Sequence, residues 1–171
     1  QDTLRVIGIF YFFFSAANAC SASNFYLLPE STSISVGETI SVNVLIDTKS
    51  ESINGVSAFL SYPNDKLGVA WISYSEAFSV QAEEFYGEGI IKISRGSFTG
   101  EVGNVAIATI GFRGKSEGNA LVSFITESAA PRTSDSSDSL NLSESTGTTF
   151  TVGQSQVQSN PYFCFLLECL L

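Results

Sequence analysis

From Ser33 to Asp47 the chain alternates: Ile40, Val42, Val44 and Ile46 fall on one face, and Ser41, Asn43 and Asp47 on the other. A period of two with one apolar side marks a strand laid against a core. After the polar stretch Lys49–Ser52 the period resumes from Ile53 to Tyr62, turning Val56, Ala58, Leu60 and Tyr62 inward. Pro63-Asn64-Asp65 predicts a turn, because proline presets φ and the Asn and Asp side chains bond nearby backbone. A strand through Leu67 and Val69 follows. Residues 73–84 lose the alternation and predict a loop or short helical turn, before a strand at Ile90–Ser94 flanked by turn and bulge glycines. Val105–Phe112 is almost continuously apolar, which predicts a central strand covered on both faces. A turn at 113–119 leads to the strand Ala120–Phe124. Residues 128–148, rich in Ser, Thr and Asp, predict a long mobile loop with too little apolar surface to bury itself. Thr149–Val152 closes the pattern. Eight or nine strands without a long helix predict an all-β domain over residues 24–153, an antiparallel sandwich or jelly roll.

The 171 residues are enough for one core without disulfide or metal staples. Seventeen acidic against eight basic residues give a net charge of −9, which repels nucleic acid and anionic membrane surfaces. There is no His, so neither a Ser-His-Asp nor a Cys-His catalytic set can form, and no phosphate- or dinucleotide-binding glycine pattern occurs. The reading is of a protein that is not an enzyme and needs no cofactor. Of the three cysteines, Cys164 and Cys169 lie in the last eleven residues and Cys20 near the start, so no disulfide framework spans the β region.

Before the β region, the apolar run Leu4–Phe14, with Arg5's positive charge at its start, precedes Ala17-Asn18-Ala19, which predicts an export signal over residues 1–19. Cleavage there would leave Cys20 first, and lipidation of that thiol is the alternative to plain secretion. With Gln1 first and no Met, the chain reads as a piece of a longer parent. Residues 154–160 form a polar linker, and the apolar tail 161–171 is too short to span a bilayer, which takes about twenty residues. It reads as the start of a truncated membrane anchor or an extension without structural meaning.

Four groups of side chains are candidates for function. The outward positions of the second long strand, Gly55, Ser57, Phe59 and Ser61, form a candidate face for a protein partner, with Phe59 an apolar residue on a nominally solvent side. Trp71, Tyr74 and Tyr86, with Phe85 nearby, are candidates for stacking on sugar rings of a polysaccharide. Asp135, Asp138 and Asn141 offer the oxygens that calcium takes, without the spacing of an EF-hand loop. Glu83, Glu84 and Glu88 would have to face each other across a few ångströms to act as glycosidase carboxylates, and a solvated loop accounts for them better.

The opening Val36-Gly37-Glu38-Thr39-Ile40-Ser41-Val42-Asn43-Val44 resembles the cohesin domain, as do the strand Ile53-Asn54-Gly55-Val56-Ser57-Ala58-Phe59-Leu60-Ser61-Tyr62-Pro63 leading to Asp65-Lys66-Leu67, the Gly100–Phe112 segment and the close Gly147-Thr148-Thr149-Phe150-Thr151-Val152. Cohesins are receptor modules of cellulosome scaffolds, and cohesin-like modules occur in bacterial surface proteins. The resemblance implies a nine-stranded jelly roll that binds a dockerin module through one sheet face, with calcium held by the dockerin. Best-known cohesins present Asn and Asp outward on the second long strand, where this chain has Gly55 and Ser57. The implied role is a non-catalytic interaction module, exported to the cell surface, with a dockerin-like or other protein partner; the alternative is a carbohydrate-binding module.

Overall fold

The computed structural model describes residues 22–154. The expected signal segment, Cys20, linker residues 155–160 and the apolar tail lie outside the described residues. Among the described residues ten strands build two facing sheets: β1 (Asn24–Pro29), β2 (Ser33–Ser35), β3 (Thr39–Asp47), β4 (Ile53–Ser61), β5 (Leu67–Tyr74), β6 (Val80–Gly87), β7 (Ile90–Glu101), β8 (Asn104–Gly114), β9 (Gly118–Phe124) and β10 (Thr148–Gly153). One sheet runs β1-β3-β8-β5 and the other β2-β10-β9-β4-β7-β6. All pairs are antiparallel except the short pair β2–β10. The only helical element among the described residues is a 3-10 turn at Leu142–Glu144.

The alternation read from the sequence sets which side of each strand meets the core. Val42, Val44 and Ile46 of β3 are fully buried, and face Val56, Ala58 and Leu60 of β4, Ile91 and Ile93 of β7, and Phe150 of β10 in one apolar cluster. Each such Val, Ile, Leu or Phe contributes about 1.5–3 kcal/mol when fully buried. The Phe112 ring joins the two sheets, packing edge-on to Tyr62 (centroids 5.7 Å) and against Phe150 (6.1 Å).

The structure departs from the sequence reading in three places. Residues 80–87 are a strand, not a loop or helical turn. As the end strand of its sheet β6 leaves Val80–Tyr86 exposed on both sides, so no alternation was there to read. The connection ahead of it, residues 75–79, sends Phe78 fully into the core. Its carbonyl accepts a hydrogen bond from Arg95 Nε (2.8 Å), and the Arg95 guanidinium lies 4.1 Å from the Tyr74 ring centroid, so this loop closes the flank between β5 and β6.

The Ser-rich segment 128–148 is tied down rather than mobile. Ser57 and Ala129 exchange backbone hydrogen bonds (2.8 and 3.0 Å), which continues the ladder beside β4. Further along, Leu27 donates to the Thr146 carbonyl (3.1 Å) and Thr146 to that of Phe25 (2.9 Å), covering the β1 edge. The Ser23 and Ser139 hydroxyls bond each other where both residues are buried.

Finally, β8 is central in its sheet as expected, but it is not covered on both faces. Ala106 and Arg113 point outward and are exposed, and only Gly111 is roofed, by Trp71.

Candidate binding faces

The outer face of β9-β4-β7-β6 is built in rows by the register. Gly55 sits opposite Gly96, Ser57 opposite Ser94, Phe59 opposite Lys92 and Ser61 opposite Ile90. On the other side of β4, Ser61 pairs with Ser123. Paired serine hydroxyls bond across the strands, Ser57 to Ser94 at 3.0 Å and Ser61 to Ser123 at 3.2 Å. At Gly55 a β-carbon would stand 3.0 Å from Pro131 Cγ, so Pro131 walls one end of a patch that has little side chain of its own.

The four sequence-predicted residues therefore share one face, but Phe59 is not the uncovered ring that the pattern suggested. It is only 8% exposed, with Lys92 Nζ 5.2 Å from its centroid. The Ser128 hydroxyl bonds both its N–H and its carbonyl at 3.1 Å, which brings the neighbouring segment down beside it. Lys92 in turn pairs with Glu83 at 3.6 Å.

Three residues supply the exposed apolar surface here: Leu121 of β9 and Ile90 of β7, which sequence reasoning missed, and Phe85 of β6, which it had grouped with the aromatics. By register Ile90 lies beside Ser61, Phe85 beside Lys92, and Leu121 two residues from Ser123 on the same side of β9. Leu121 breaks phase with the buried Ala120 and Val122, and that break is the sequence signal for an apolar residue turned to solvent.

The aromatic trio does not form one platform. An irregularity at Ala70 in β5 keeps Leu67 and Val69 inward but turns Trp71 to the outer face of the other sheet, opposite Gly111. Tyr74 points inward. Its hydroxyl is buried with no hydrogen-bond partner among the described residues, and burial, aided by the Glu84 carboxylate, pushes the phenol well above its ordinary range. Tyr86 stands on the exposed edge strand β6, opposite Ile91. The acidic trio is also dispersed: Glu83 and Glu84, adjacent on β6, turn to opposite sides, and Glu88 lies in the β6–β7 turn with φ of 52°. No facing carboxylate pair forms among them.

Asp135, Asp138 and Asn141 spend their oxygens on the loop itself. Asp135 Oδ1 accepts from the Ser137 N–H (3.0 Å) and hydroxyl (2.7 Å), and these bonds hold its carboxyl below the usual range. Asp138 Oδ1 accepts from the N–H groups of Ala130 (2.8 Å) and Leu140 (2.9 Å), while Asn141 Oδ1 caps Ser143 (3.2 Å). The structure thus gives these oxygens a turn-forming use, and among the described residues no group of three or more acidic, His or Cys side chains is placed to hold a metal.

No family model and no curated protein matches this chain. Solved structures of cohesins do match it in fold. A cohesin module from a Clostridium perfringens family 33 glycoside hydrolase superposes with a TM-score of 0.65 at 9% identity, over 79% of this chain and 99% of that one. A non-cellulosomal cohesin from the hyperthermophilic archaeon Archaeoglobus fulgidus gives 0.64 at 16% identity, over 79% and 94%. The sixth cohesin of Acetivibrio cellulolyticus scaffoldin B, solved in complex with a Cel5 dockerin, gives 0.62 at 16%, over 78% and 99%. The domain has the cohesin fold, a jelly-roll β-sandwich, as the sequence resemblance implied.

Proposed function

We propose that this domain is a non-catalytic interaction module, displayed outside the cell, that takes a dockerin-like protein on the outer face of β9-β4-β7-β6. One observation carries the reading: exposed apolar Leu121, Ile90 and Phe85 border a floor of small residues, Gly55, Ser57, Ser61, Gly96 and Ser123, that lets partner backbone approach closely. Interfaces draw their affinity from a few apolar and aromatic anchors surrounded by near-neutral contacts, and this face has that composition. One of the structurally similar cohesins was solved with a dockerin bound, which supports the class of partner. Here Gly55 and Ser57 replace the Asn and Asp of best-known cohesins, so recognition rests on shape and apolar contact more than on side-chain amides and carboxylates. Export fits the amino-terminal apolar run, and no helix of the described residues is long and apolar enough to cross a membrane.

The test is calorimetric titration of the domain with a panel of recombinant calcium-loaded dockerins. At least one should bind, and Ile90→Asp and Leu121→Asp should each weaken that complex about tenfold or more while leaving the melting temperature in place. Failure of every dockerin to bind, or binding indifferent to both variants, overturns the proposal.

A further inference from the structure

The indole of Trp71 marks a second site on the opposite side of the sandwich. A β-carbon on Gly111, its partner across the ladder, would meet Cε2, Nε1 and Cδ1 of the indole, the last at 2.8 Å and the other two closer. Simultaneous approach to three consecutive atoms places the Gly111 backbone under the face of the ring and not beside its edge. One face of the indole therefore rests on backbone that carries no side chain, and the other faces outward, leaving the residue 41% exposed. A tryptophan needed for the core would point inward. Here the irregularity at Ala70 turns it out, and the glycine lets it lie flat.

Hydrogen-bonding side chains frame the ring on the same outer face. Ser41 is opposite Gly111; Asn43, Thr109 and Ser73 form the next row on one side, and Thr39 and Arg113 the next row on the other. Thr109 Oγ1 donates to Asn43 Oδ1 at 2.7 Å, which fixes the amide and leaves its N–H donors for another acceptor.

We propose that this surface is a glycan subsite for one pyranose ring of a neutral polysaccharide whose hydroxyls are equatorial. Such a ring offers axial C–H groups on its face and hydroxyls around its rim. The flat indole matches the first and the frame of Ser41, Asn43, Ser73 and Arg113 the second. A net charge of −9 selects against polyanionic chains. Tyr74 and Tyr86 take no part. The site stands apart from the proposed protein face, so either can fail without the other.

Trp71 is the chain's only tryptophan, so its emission reads the site directly. Titration with hydroxyethylcellulose should shift the emission to the blue and protect the indole from acrylamide quenching, and carboxymethylcellulose should do so less. In affinity gels containing hydroxyethylcellulose, Trp71→Ala should lose retardation and Trp71→Phe should keep part of it. Gly111→Val, which retains the indole but props it off the sheet, should bind about tenfold more weakly, with circular dichroism confirming the fold of each variant. Unchanged emission and quenching at saturating polymer, equal retardation of Trp71→Ala, or tighter binding to carboxymethylcellulose overturns the proposal.

Discussion

Replacing Phe78 by Ala tests whether the loop at 75–79 is part of the core or a dispensable connection. Phe78 is fully buried and its carbonyl is held by Arg95 Nε at 2.8 Å, so the loop has little freedom to collapse into the space that the ring leaves. A large-to-small change at such a position costs about 3–5 kcal/mol, from lost transfer energy plus a residual cavity. Residues 22–154 carry an unfolding entropy of about 0.28 kcal/mol/K at about 2.1 cal/mol/K per residue, so the midpoint should fall by about 11–18 °C. Differential scanning calorimetry reads this directly. Phe98→Ala is the control, because Phe98 is 90% exposed and its truncation should move the midpoint by no more than about 2 °C. A drop of less than about 4 °C for the Phe78 variant, or equal drops for both, would refute the reasoning that this loop seals the flank between β5 and β6.

Asp138→Ala strands the N–H groups of Ala130 and Leu140 and should cost about 1–3 kcal/mol in urea unfolding, whereas Asp138→Asn, which keeps an acceptor oxygen, should cost less. Gly147→Ala would drive a β-carbon into the backbone of Val122 and Ser123 and should destabilise by about 2 kcal/mol or more; Gly153→Ala meets nothing within 4 Å and should be neutral in the same assay. The Tyr74 phenol keeps its proton in the folded state beyond the point where an unfolded tyrosine loses it. Its stabilising effect is therefore complete below a pH of about 10 and lost as pH climbs toward the raised folded value. Burial also raises the Tyr62 phenol, so ultraviolet titration should show late tyrosine ionisation that shrinks by one phenol in Tyr74→Phe.

Strands with one side on the core were plain in the sequence. Ile40, Val42, Val44 and Ile46 point where their spacing said, and so do Val56, Ala58, Leu60 and Tyr62. β6 was hidden because periodicity reports a difference between two sides, and an edge strand exposed on both has none. The order of residues 128–148 was equally invisible, since it comes from partners such as Ser57, Phe25 and Ser23, far away in the chain. At the candidate sites the sequence placed Gly55, Ser57, Phe59 and Ser61 on a common face but misjudged which residue there meets solvent. Phe59 is covered by Lys92 and the segment at Ser128, while Ile90, Phe85 and Leu121 are bare, and only cross-strand register distinguishes these cases. Trp71 stood out as an aromatic, but its seat on Gly111 depends on an irregularity in β5 that composition does not announce.

The open edge of β6 also governs how copies of this domain behave in crowded solution. Among the described residues no strand pairs with the outer edge of this eight-residue strand; such an edge is a template on which a neighbour's strand can add, and sheets grown that way become fibres. Two features of β6 oppose that growth: the irregularity between Gln81 and Glu83 spoils a straight register, and adjacent Glu83 and Glu84 place carboxylates on both sides of the strand. Two copies docking edge to edge would bring those carboxylates together. Resistance to edge-to-edge growth on β6 is thus concentrated in one short strand, and a variant engineered for higher concentration should leave these two glutamates alone.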